Sequence, residues 1–251
     1  MDDILGALAD QQDELSGLLA GRTDDEWRRP SLLDGWTVAD VVLHLAQTNE
    51  LSIASAQARL PEVAEGMGAG PGRASTVDER ADLMVAAERD LAVSVLHQRW
   101  LDGVDTLRSV LAAADPHQRV MWVAGALSIQ TLATTRLAET WIHTGDVAAA
   151  FGVTLPPTDR LRHIARLAWR TLPYAFARGG RELHGPVAFE LRSPTGDAWN
   201  FAPDAAAVTV VRGDGAELCL VAARRVDPAD TGLRAEGPDA EAVLELVRTY
   251  A

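Results

Sequence analysis

The chain has 251 residues, 47% apolar and 24% charged, the make-up of a soluble globular protein long enough for one large domain or two small ones. Its net charge of −13 argues against nucleic-acid partners and anionic membrane surfaces, which need basic footprints, and no apolar run approaches the roughly 20 residues that span a bilayer. All 23 basic residues are arginine, which excludes Schiff-base chemistry on a lysine.

The N-terminal stretch MDDILGALADQQDEL is acidic and lacks the basic region of a secretory signal, so a cytoplasmic location is expected. Ile4, Leu8, Leu15 and Leu19 recur at helical steps and predict a first helix over residues 1–21. Thr23 to Glu26 read as a short capped turn. Thr37 and Asp40 form a capping-box-like start, with Asp in place of the usual Glu, to a second helix over residues 38–60 that carries His44. The glycine-rich stretch 62–76 predicts a loop, and the apolar period over 76–114 predicts one helix of nearly forty residues, kinked near Asp102-Gly103. Residues 121–125 read as a loop into a further helix over 128–150.

Next, residues 160–177 predict a helix capped by Thr158, after which the period changes. Strands are expected at 187–191, 199–201, 207–211 and 232–235, with a hairpin turn at 193–197 and a final helix over 238–250. Residues 216–225 fit helix and strand equally well, and within them Cys219 reads as a buried thiol that can form no internal disulfide. The expected fold class is α+β: a four-helix bundle over residues 1–155, a linking helix over 156–181 and a small α+β domain over 182–251. The boundary moves to 155 if the linking helix belongs to the second unit.

In the 128–150 helix, Arg136, Glu139, His143 and Asp146 follow one another at steps of three, four and three, which keeps them on one face. Taken alone, this reads first as a solvated polar stripe, because Glu-x-x-x-His occurs freely by chance. A bundle, however, brings ligands from facing helices together. If His44 faces this stripe, His44, Glu139 and His143 make a two-histidine, one-glutamate set with metal positions left open, the arrangement of catalytic zinc. His97 and His163 sit on helices without a nearby acidic ligand pair, His117 and His184 sit in loops, and all four are expected to be surface or structural.

Residues 35–46, GWTVADVVLHLA, resemble the first signature of the DinB-like mycothiol-dependent maleylpyruvate isomerase family, and RLAETWIHTGDV at 136–147 is similar to its second. The resemblance covers nearly the whole chain. It implies a metal-binding DinB-like four-helix domain with His44, Glu139 and His143 as ligands, commonly to zinc, with Asp146 in support. It also implies a sterol-carrier-like C-terminal domain, whose motif residues 218–225 resemble, although Ala223 replaces the usual glycine.

The leading expectation from this resemblance is a metal-dependent isomerase or S-transferase acting on a small electrophilic substrate. A mycothiol-like thiol would attack, and elimination after bond rotation would give the isomer. The thiol must come from outside, since Cys219 is expected to be buried. Arg224 or Arg225 could clamp a substrate carboxylate, or both could simply face solvent. Two alternatives stay open. One is a hydrolase or lyase that activates water, with Asp146, Asp40 or Glu50 as base. The other is a non-catalytic protein that binds metal or a small apolar ligand. A monomer or weak homodimer is expected from the acidic surface.

Overall fold

The computed structural model describes all residues except 69, 71–73, 75, 124, 250 and 251. It divides into two compact units, Met1–Leu155 and Pro156–Ala251. No helix among the described residues is long and apolar enough to cross a membrane.

The first unit is helical. Its long helices are α1 (Asp2–Leu19), α3 (Val38–Ala56), α6 (Val93–Ala113) and α7 (Ile129–Ala150), with the shorter α2 (Asp24–Trp27), α4 (Leu60–Gly66) and α5 (Val77–Glu88) between them. Helix α3 packs against both α6 and α7, and α1 packs against the same two, which closes a four-helix bundle. Local chemistry sets the starts. Thr23 with Glu26 and Thr37 with Asp40 each form a full capping box, and the Ser128 hydroxyl accepts from the Thr131 amide to open α7. The core joins Leu15, Leu19, Trp27, Val38, Val42, Leu45, Leu96, Trp100, Val104 and Val147, all buried.

Four sequence-based expectations need correction in this unit. Helix α3 ends at Ala56 rather than near residue 60, because Ala58 takes a left-handed φ of 58° and the chain restarts at Leu60 as α4, with Pro61 in its first turn. That helix occupies the first part of the expected 62–76 loop, whose positions 69, 71–73 and 75 lie outside the described residues. The single helix expected over 76–114 is two helices, broken at residues 89–92, and α6 continues through Gly103 without interruption. Both α5 and α6 pack on α3, and a straight helix of forty residues, about 60 Å long, could not fold back on it. Arg99 holds the corner, reaching Glu88 on α5 at 2.9 Å and Glu50 on α3 at 2.6 Å. Finally, the loop expected at 121–125 belongs to a hairpin of β1 (Arg119–Trp122) and β2 (Gly125–Ser128), with Ala124 outside the described residues.

The second unit contains α8 (Leu161–Arg170), α9 (Leu172–Arg178), β3 (Val187–Arg192), β4 (Ala198–Phe201), β5 (Thr209–Asp214), α10 (Gly215–Ala222), β6 (Arg234–Glu236) and α11 (Ala240–Leu246). The strands form one sheet in the order β4-β3-β5-β6, with β3 and β5 parallel and the other pairs antiparallel. Phe189 sits opposite Phe201 on one side and Val211 on the other, all three buried. Residues 216–225, open between helix and strand by sequence, are mostly α10, capped by the Asp214 carboxylate on the amides of Ala216 and Glu217. The helix expected over 160–177 is split at Thr171, with Pro173 in the first turn of α9. The fold is thus α+β, a helical domain followed by a small sheet domain.

Candidate metal centre

Helices α3 and α7 lie side by side in the bundle, and each turns charged residues toward the other. His44 Nε2 lies 3.5 Å from Glu139 Oε2, and His143 Nε2 lies 3.6 Å from the same oxygen. The two imidazole rings meet edge to face at 5.1 Å. One ligand atom from each of the three residues falls within 4.8 Å of the others. The histidine side chains keep 12% and 9% of their surface and Glu139 keeps 25%, so the cluster is largely enclosed, with Glu139 its most accessible member.

These donors fit a divalent metal. A tetrahedral ion bound at about 2.1 Å sets its ligands about 3.4 Å apart, close to the two observed spacings. The support around His143 fits as well. Its Nδ1 lies 2.9 Å from the Asp146 carboxylate, itself 1% exposed, so Nδ1–H donates to Asp146 and the Nε2 lone pair is left facing Glu139 and His44. On the other ligand, His44 Nδ1 is buried without a hydrogen-bond partner, and the ring rests against Trp36 at 5.3 Å. Trp36 is fixed in turn by its Nε1–H bond to Asp82 at 2.8 Å.

Electrostatics follow from this crowding. Burial pushes the Glu139 pKa up, but the hydrogen bonds and charges of His143 and His44 outweigh it and hold the carboxyl well below its usual range. For His143, burial favours the neutral ring, yet Asp146 and then Glu139 raise its pKa overall. For His44, burial dominates the help from Glu139 and lowers it. Arg136, one turn before Glu139, is 1% exposed and is brought down to about 10 by burial, so it stays charged at neutral pH. Its Nη2–H donates to Asn49 Oδ1 on α3 at 3.2 Å.

The structure therefore gathers His44, Glu139, His143, Asp146 and Arg136 in one place. Asp40 and Glu50, candidate bases by sequence, are engaged elsewhere. Asp40 caps α3 and lies 3.3 Å from Arg89, while Glu50 pairs with Arg99. Of the remaining histidines, His97 packs on Trp27, and His184 Nδ1–H donates to the buried Asp239 carboxylate at 2.7 Å. Arg224 and Arg225 follow α10 in the second unit, Arg224 exposed with a left-handed φ of 59° and Arg225 bonded through Nη1 to the Ala223 carbonyl. Cys219 is fully buried and its thiol pKa is pushed up by that burial. Sequence reasoning assigned no role to Trp36 or Asn49. Trp36 stood inside the first signature, whereas nothing local marked Asn49.

The chain is a two-domain α+β protein, a helical bundle that carries a largely enclosed two-histidine, one-glutamate cluster with a small sheet domain appended. The family model described as the mycothiol maleylpyruvate isomerase N-terminal domain matches residues 8–148, and the chain belongs to that family. Uncharacterised proteins from two strains of Mycobacterium tuberculosis are each 32% identical over 244 residues, covering 96% of this chain and 92% of theirs. The crystal structure of the mycothiol-dependent maleylpyruvate isomerase superposes with a TM-score of 0.61 at 20% identity, covering 95% of both chains. A histidine-to-alanine mutant of that isomerase superposes with a TM-score of 0.60. Membership of an isomerase family makes an enzyme the supported role for this chain.

Proposed function

We propose that this chain is a metal-dependent enzyme that uses a mycothiol-like thiol to isomerise, or transfer sulfur to, a small electrophilic substrate. The observation that carries the reading is the convergence of His44, Glu139 and His143 on one point, with His143 oriented by a buried Asp146. These three residues would hold the ion, for which zinc suits two imidazoles and a carboxylate. When bound there, such an ion supplies a Lewis acid that lowers the pKa of a coordinated thiol.

The chain's own residues do the rest. Asp146 keeps the His143 proton on Nδ1, and Glu139 stays ionised between the two rings. Trp36 packs against His44 with the two rings tilted at 57°. The buried Cys219 is an unsuitable nucleophile, which supports an external thiol. Arg224 or Arg225 is the proposed clamp for a substrate carboxylate.

The test begins with metal analysis of the wild type, His44→Ala and His143→Ala. Both variants are expected to lose stoichiometric metal, and unchanged content would refute the site. Isomerisation of maleylpyruvate, the substrate named for the solved relative, is then followed with and without mycothiol. Activity independent of added thiol would favour water activation instead.

A further inference from the structure

Arg136 is the feature of this centre that the proposed function leaves unused. Among the described residues it is the fully buried cation, 1% exposed, with no carboxylate within ion-pair distance. The other buried charges have partners. Asp146 faces His143, Asp239 faces His184 and Asp40 faces Arg89. Arg136 instead leans on a neutral amide, Asn49 Oδ1, while its own Nε and the Asn49 Nδ2 have no partner.

A buried cation without an adjacent anion is unfavourable in itself, so its neighbours have to explain it. The nearest acidic group acting on it is Glu139, one turn further along α7. Its anchor, Asn49, sits on α3 five residues after His44. The guanidinium is therefore tied to both helices that carry the donor set, without touching a donor. With a divalent ion held by His44, Glu139 and His143, the carboxylates of Glu139 and Asp146 would neutralise the ion, and Arg136 would leave the centre with a net positive charge.

We infer that Arg136 is a positioning residue that acts through the field of the metal centre, loosening its grip on the cation and favouring an anionic ligand, such as a thiolate, in the open position. The inference rests on the reading that the three donors hold a metal. A purely structural guanidinium, serving only to tie α7 to α3, differs in sign. Its loss would weaken cation and anion binding together, whereas loss of a field would move them in opposite directions.

The experiment uses the full-length chain, Co2+ as the metal probe and azide as the anion probe. Co2+ affinity is measured by competition with a chelating dye, and azide binding by the visible absorption of the Co2+ form. Arg136→Met is expected to bind azide roughly tenfold more weakly and Co2+, which carries twice the charge, more tightly by a larger factor, the scale of one unit charge acting over about 10 Å at an effective dielectric of about 20. Arg136→Lys, which keeps the charge, should stay near the wild type in both. If Arg136→Met does not fold, Arg136→Gln against Arg136→Lys carries the same comparison. Weakening of both ligands in the neutral variant, an azide affinity that does not move, or a Lys variant that behaves like Met would each overturn the inference. Failure of the wild type to take up Co2+ would instead refute the metal reading on which it stands.

Discussion

Asp146 offers the sharpest probe of the centre, because it supports a ligand without being one. Its Oδ2 lies 2.9 Å from His143 Nδ1, with both side chains buried, so it fixes the ring's tautomer and raises its basicity. Asp146→Asn can still accept the Nδ1 proton through its amide oxygen and loses only the charge. Asp146→Ala leaves a buried N–H unpaired and the ring free to turn. Loss of such a support costs about 10–100-fold in metal affinity, or about 1.4–2.7 kcal/mol. The Asn variant is expected near the lower end and the Ala variant near the upper. Competition against a zinc-chelating dye measures both, and urea unfolding of the metal-free proteins separates any loss of fold. Affinities within twofold of the wild type in both variants, with His143→Ala abolishing binding, would refute the argument that Asp146 orients the ligand.

Four further expectations test other parts of the structure. Because His143 is raised above its ordinary 6.5, a fraction of it carries a proton near neutral pH that a metal must displace. Calorimetry in buffers of different ionisation enthalpy should show proton release on metal binding that falls toward zero as the pH rises through the His143 pKa; release that does not change with pH would count against this. In the metal-free protein the same shift has the opposite consequence: the stability from protonated His143 is present at pH below 6.5 and lost as the pH rises through its folded value. Cys219 should resist a thiol reagent in the folded protein and react once it is unfolded, and Cys219→Ala should keep thiol-dependent turnover. At Gly237, where φ is 116° and an added Cβ would lie 2.2 Å from the Val208 carbonyl oxygen, Gly237→Ala is expected to destabilise the second unit by about 3 kcal/mol or more in chemical denaturation.

What was legible in the sequence was local. The Thr37–Asp40 and Thr23–Glu26 caps need only four residues each, and both formed as their spacing predicts. The Glu139–His143 pair was legible because one helical turn fixes it, and His44 because it sits in a recognisable signature. The break at residues 89–92 was not, since no glycine or proline marks it and it follows from α5 and α6 both packing on α3. The Arg136–Asn49 bond joins residues 87 positions apart, and no periodicity could have paired them.

The polar stripe on α7 shows why the bland reading of the pattern fails here. An amphipathic surface helix keeps its polar residues wet, but α7 buries Arg136, Thr140, His143, Thr144 and Asp146 together with Leu137, Ile142 and Val147. The threonines allow this, because they satisfy themselves. Thr140 donates to the Arg136 carbonyl at 2.8 Å and Thr144 to the Thr140 carbonyl at 2.6 Å, each one turn back on the same helix. With the hydroxyls accounted for locally, the groups that still need partners are the charged ones, and they lie against α3 at the level of His44. Asp146 accepts from His143 Nδ1–H and Glu139 lies against the two imidazoles, which among the described residues leaves Arg136 as a buried charge whose neighbours do not balance it. Self-satisfied threonines thus allow a helix with charges on it to be buried, and they leave those charges to be met by groups on α3 and α7 such as His44 and Asn49.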